Sequence, residues 1–261
     1  MGSLHADRHR ADAPPEIGIA PRREKPLAHR MRLPFLHLLT AAALAFAPAL
    51  RADDKAAEKA HDYAKWEKEI AAFEQADAQS PPAKGGIVFV GSSSIRLWKT
   101  LAQDFPQHRV LNRGFGGSQI ADSTYFADRI ILPCEPRMVV LYAGGNDLNS
   151  RKPPEQVVAD FKAFFAKIRA KLPNTEIAYI SIAGNPARWA QVGKVKAVNA
   201  EIEAWLKEQP RTKFINTFAR MLGDDGLPLP GIFVADKLHM NAEGYKIWTE
   251  VVRPFLPAPD R

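Results

Sequence analysis

Ile87-Val88-Phe89-Val90-Gly91-Ser92-Ser93-Ser94-Ile95 is the stretch whose reading decides the fold. Four apolar, mostly β-branched residues form a strand, Gly91 interrupts it in a tight turn, and Ile95 opens a helical pattern. A run that is apolar at every position suits a strand buried on both faces, as in a parallel sheet covered by helices. The same succession recurs down the chain. Strand patterns fall at residues 87–90, 109–112, 138–142, 177–182 and 213–215, and helical patterns at 95–105, 119–131, 154–172, 192–209 and 241–253. Strands alternating with helices pair in parallel through crossovers. The expected class is therefore α/β: a three-layer α/β/α sandwich on a five-stranded parallel sheet, within one domain spanning 85–256 and followed by a short tail, 257–261.

Upstream of that domain the composition changes. Residues 1–30 are polar, rich in Arg, His and Pro, and lack apolar periodicity, so Met31 is a candidate true start. Residues 31–52 combine Arg32, the apolar run Leu36-His37-Leu38-Leu39-Thr40-Ala41-Ala42-Ala43-Leu44-Ala45-Phe46-Ala47 and a small-residue exit before Asp53, the pattern of a secretory signal peptide. Pro48 breaks the run, and no Cys follows it that could carry a lipid anchor. The expectation is export to the periplasm or the cell exterior, with no stable membrane insertion once the signal is removed. Residues 53–84 read as an amphipathic helix and linker, ended by Ser80-Pro81-Pro82.

The net charge of +7 is concentrated before Asp53, and about +3 remains beyond it, too little for a nucleic-acid surface. With one cysteine, Cys134, the chain can form no internal disulfide and no thiolate metal cluster. Neither His-x-Glu-x-x-His nor paired Cys/His spacing is present, so no metal and no cofactor is expected.

Four short islands carry chemistry, three of them directly after a strand, where open α/β sheets build their ligand sites. Gly91-Ser92-Ser93-Ser94 lifts a serine hydroxyl above the sheet edge at a helix start, although taken alone the triplet favours a helix cap. Asn112-Arg113-Gly114-Phe115-Gly116-Gly117-Ser118 lets backbone N–H groups approach a ligand. Gly144-Gly145-Asn146-Asp147 offers a neutral amide donor, and also reads as an ordinary turn. In Asp236-Lys237-Leu238-His239 the three-residue spacing lets a local turn set a carboxylate beside an imidazole. Of the three His residues beyond position 37, only His239 has an acid within sequence reach at a strand-to-helix junction. The part list is that of serine-based acyl transfer.

In order and content these islands resemble the four sequence blocks of the SGNH hydrolases, the GDSL esterase/lipase family, over about residues 87–256. The resemblance implies a flavodoxin-like sandwich, Ser93 as nucleophile, His239 as base oriented by Asp236, and an oxyanion hole built from Ser93 N–H, Gly117 N–H and the Asn146 side chain. The family's usual Gly-Asp-Ser is here Gly91-Ser92-Ser93, and the choice of Ser93 over Ser92 or Ser94 rests on the resemblance.

The expected activity is hydrolysis of carboxylic esters, short-chain or acetyl, with small-molecule or carbohydrate esters as partners. Arg96, Trp98, Arg113, Arg188 and Trp189 are the candidate substrate contacts, because Trp with Arg suits a sugar or a polar acyl acceptor. Acyl transfer to a sugar hydroxyl and a non-catalytic binding role are the competing readings.

Overall fold

The computed structural model describes residues 61–259. The extension, the signal-peptide pattern and the start of the helix expected after it lie outside these residues. Strands β1 (Ile87–Gly91), β2 (Val110–Gly114), β3 (Met138–Tyr142), β4 (Glu176–Ile180) and β5 (Thr212–Ile215) form one sheet in the order β2-β1-β3-β4-β5, every pair parallel. The helices are α1 (Glu67–Gln79), α2 (Ser93–Arg96), α3 (Leu101–Asp104), α4 (Ile120–Tyr125), α5 (Ala127–Ile130), α6 (Gly145–Asn149), α7 (Pro154–Lys171), α8 (Val192–Lys207), α9 (Thr217–Arg220) and α10 (Ala242–Val252). Two patterns read as single helices, 95–105 and 119–131, are each broken into two short helices.

The sheet separates two cores. Val88 and Val90 of β1 face one, with Val139 and Leu141 of β3, Phe161 and Phe164 of α7, and Val198 and Ile202 of α8. Ile87 and Phe89 face the other, with Met138 and Val140, Trp98, Phe105 and Trp248. Burial on both faces accounts for the unbroken apolar runs of β1 and β3, all of whose residues are buried. Helix α1 packs on the first core through Ile70, and the Arg113–Asp77 pair at 2.5 Å pins it to β2.

Because β1 lies between β2 and β3, the strand order changes direction there, at the switch point where such sheets bind ligands. Register aligns Gly91 with Gly114 on one side and Tyr142 on the other. Only a glycine fits at 91: its φ is +129°, and a Cβ there would stand 2.0 Å from the Tyr142 carbonyl oxygen. Gly114 is as crowded, since a Cβ would stand 2.1 Å from the Arg96 backbone nitrogen.

Among the described residues no helix is long and apolar enough to cross a membrane. Gly91→Ala combines a forbidden dihedral with a backbone clash and is expected to cost about 3 kcal/mol or more. Gly193→Ala, in α8 with nothing within 4 Å of the added Cβ, should stabilise by about 0.5 kcal/mol through helix propensity. Urea midpoints followed by circular dichroism test both, and a Gly91→Ala protein as stable as its parent would contradict the close-approach account.

Candidate active site

Ser93 is the first residue of α2 and follows Gly91 by two positions. Ser92 occupies the cap position, yet its side chain makes no capping bond; it is buried, and its N–H donates to Tyr142 O at 2.9 Å. Of the three adjacent serines, Ser93 is the one whose Oγ lies at hydrogen-bond distance, 2.9 Å, from His239 Nε2.

The 236–239 turn builds the rest of the relay. Asp236 Oδ1 accepts from the backbone N–H groups of Leu238 (2.8 Å) and His239 (2.9 Å), while Oδ2 lies 2.7 Å from His239 Nδ1. Lys237 completes the turn with φ +57°. The backbone N–H of His239, its ring and the N–H of Leu238 together hold the Asp236 carboxyl down to about 2. An ionised carboxylate only accepts, so Nδ1 must carry the ring proton and Nε2 is left to accept from Ser93.

Asn146 sits in the first turn of α6, after Gly144 at φ +111°. Its Nδ2 donates to Ser118 O at 2.9 Å, and its Oδ1 accepts from Arg188 Nη1 at 3.0 Å. One amide N–H therefore stays unused. Gly117, φ +74°, is exposed beside Ser118, and the ring of Trp66 lies against it, 3.4 Å from where a Cβ would be. As the first residue of its helix, Ser93 has an N–H without an intrahelical partner.

Two buried carboxylates anchor the end of this loop. Asp122 Oδ2 accepts from Gln119 N at 2.7 Å, and Asp147 accepts from Ile120 N at 3.3 Å. Burial raises the Asp147 pKa, with Lys152 at 2.9 Å opposing that rise. His61 Nε2 lies 2.7 Å from Asp122 Oδ1, so this histidine also has an acid partner, one 61 residues away that local spacing could not reveal.

The expected substrate contacts divide. Trp98 is buried in the second core, donates to Asp104 Oδ2 at 2.6 Å and lines the groove beside Arg96, whereas Arg113 is buried under α1 against Asp77 and is not open to a ligand. Arg96 is exposed, its guanidinium over Gly116, beside a groove of about 440 Å³ that Phe73 and Asn112 also line. Arg188 and Trp189 are half-buried and border a cavity of about 20 Å³ with Gly145. Burial lowers the Arg188 pKa. Cys134 is buried, which raises its thiol pKa. Among the described residues no group of three or more His, Cys, Asp and Glu could hold a metal.

The sequence profile of the GDSL-like lipase/acylhydrolase family matches residues 88–247. The chain belongs to that family. No curated protein matches it. Among solved structures, a Streptococcus pneumonia protein provisionally assigned as a platelet activating factor aligns at 19% identity and TM-score 0.66, covering 75% of this chain and 94% of that one. A GDSL-like lipase from Bacteroides thetaiotaomicron aligns at 20% identity and TM-score 0.58, over 74% and 96%. A variant of Axe2, an acetyl-xylooligosaccharide esterase from Geobacillus, aligns at 12% identity and TM-score 0.55, over 69% and 99%. At these identities the likeness is one of fold, the sandwich of the SGNH hydrolases.

With its folded pKa below the ordinary 3.8, Asp236 contributes stability that is fully present above pH 3.8 and is lost as pH falls through about 2. A carboxyl NMR titration should place its midpoint near 2. His239→Ala should raise that midpoint only part-way, because the two backbone donors remain. A midpoint unchanged by His239→Ala would exclude the ring as a partner of Asp236.

Proposed function

We propose that this acylhydrolase is an exported serine esterase that cleaves short-chain or acetyl esters, carbohydrate acetates among them, through an acyl-enzyme on Ser93. The observation that carries the reading is the unbroken relay from Asp236 through His239 to Ser93 Oγ, at 2.7 and 2.9 Å. In the first step Ser93 Oγ bonds to the ester carbonyl carbon while its proton passes to His239 Nε2. The carbonyl π pair moves onto oxygen, and the oxyanion is received by Ser93 N–H, Gly117 N–H and the unused N–H of Asn146. Collapse breaks the bond to the leaving alcohol, which takes the proton from His239. Water then repeats the sequence on the acyl-enzyme.

Solved structures of an acetyl esterase and of Axe2 share the fold, which favours the same substrate class here. Export is favoured by the apolar run and small-residue exit at residues 31–52.

Hydrolysis of p-nitrophenyl acetate should be lost in Ser93→Ala and retained in Ser92→Ala and Ser94→Ala; loss in either of the latter alone would move the nucleophile. Asn146→Ala should lower kcat by about 100- to 1000-fold. Across an acyl-chain series the rate should peak at the shortest esters, and a maximum at long chains would overturn the short-chain assignment.

A further inference from the structure

We propose that Arg188 is a positioning residue of the oxyanion hole, acting through Asn146 and not on the substrate; this rests on the reading of Asn146 as an oxyanion donor. An asparagine amide has two donor and two acceptor sites, and its two ends are nearly alike in shape. At Asn146 both ends are specified by neighbours of opposite polarity. The Ser118 carbonyl can only accept, so it requires Nδ2, and the Arg188 guanidinium can only donate, so it requires Oδ1. Together they exclude the flipped amide and leave one N–H free.

The guanidinium also does what a neutral donor could not. A charge-assisted hydrogen bond to Oδ1 draws electron density from the amide and strengthens the remaining N–H as a donor, in a half-buried setting where such polarisation is weakly screened. The same Nη1 donates to Gly145 O at 3.1 Å, tying the first turn of α6 to the guanidinium.

Arg188 is itself held from two sides. The Asn185 side chain accepts from the Arg188 backbone N–H at 3.0 Å, and Arg188 breaks the local 3-10 turn with φ −125° and ψ 22°. One residue earlier, Ala187 N–H donates to Lys237 O at 3.1 Å, inside the turn that carries Asp236 and His239. The 185–191 segment thus links the base-bearing turn to the amide donor, and the Arg188 side chain is the end of that link.

The test compares Arg188→Met and Arg188→Lys with the parent, each alone and with Asn146→Ala, using p-nitrophenyl acetate turnover and the rate at which a fluorophosphonate labels Ser93. Arg188→Met should lower kcat and the labelling rate by about 10- to 100-fold, the worth of a hydrogen bond to a charged group, with KM unchanged. Arg188→Lys should recover part of both, since an ammonium can still donate to Oδ1. In the Asn146→Ala background Arg188→Met should cost less than about 3-fold more, the non-additivity expected of residues acting as a unit. A raised KM at constant kcat would make Arg188 a substrate contact and overturn the assignment. So would fully additive losses, or equal thermal destabilisation and equal activity loss in the Met and Lys variants. A parent protein that is neither labelled nor active would overturn the esterase reading, and this assignment with it; labelling abolished by Ser93→Ala but untouched by Arg188→Met would overturn Arg188 alone.

Discussion

At the carboxyl end of β1 the backbone passes so close to β3 that position 91 has no room for a side chain. A Cβ would stand 2.0 Å from Tyr142 O, and one added at Gly114, in register on the other side, would stand 2.1 Å from the backbone nitrogen of Arg96 in α2. These approaches draw three strand ends into one edge. The distances along the chain from that edge are short: Ser93 lies two residues beyond Gly91, Gly117 three beyond Gly114, and Asn146 four beyond Tyr142. Little conformational freedom remains between a rigid sheet and each of these groups. For the acyl transfer proposed above, a site that must receive charge gains from such fixity, because donors already in place need no reorganisation when the charge develops.

The fourth component comes from farther off. Asp236 and His239 precede α10 and belong to no strand, so the sheet does not position them. Their turn is instead closed on itself by two backbone hydrogen bonds to Asp236 Oδ1. Asn241 then caps α10 through Glu243 and Gly244 N–H groups, which fixes where the turn ends. Tyr245 of α10 reaches back to Ser94 O at 2.9 Å, so the helix that follows His239 grips the helix that carries Ser93. The Ser93–His239 distance is thus set by a hydrogen bond between two helices as well as by the turn.

The fold was legible because burial on both faces leaves a mark at each position of β1 and β3, and because Gly91, Pro81 and Pro82 punctuate where the strand and α1 end. The short helices were not. Residues 95–105 and 119–131 have helical apolar spacing, yet the chain turns within each, and both halves stay on one core: Ile95, Trp98, Leu101 and Phe105 on the second, Ile120, Phe126, Ala127 and Ile130 on the first. The Asp236–His239 contact could be read from spacing, as both partners lie in one turn. Long-range pairs leave no such trace: His61 with Asp122, Arg113 with Asp77 and Arg188 with Asn146 join residues 36 to 61 positions apart. The burial of Arg113 was hidden for the same reason, since residue type near a loop says nothing of which side of the sheet the side chain takes.

The segment from His61 through α1 lies outside residues 88–247, where the family profile matches, yet it touches the second block at several places. Trp66 lies against Gly117 and packs edge-on to Phe115, His61 meets Asp122, and Asp77 holds Arg113. Gly117 is exposed and adopts a dihedral that leaves it no intrinsic preference for one conformation over its neighbours. What holds it is therefore external: the Trp66 ring on one side, and on the other the Ser118–Asn146 hydrogen bond and the Asp122 and Asp147 carboxylates at Gln119 and Ile120. Asp122 is fully buried, and a buried carboxylate persists only with partners that compensate its lost hydration. One of those partners is His61. The N-terminal segment is by this logic a structural part of the site, because it supplies the contacts that a glycine-rich loop cannot supply for itself.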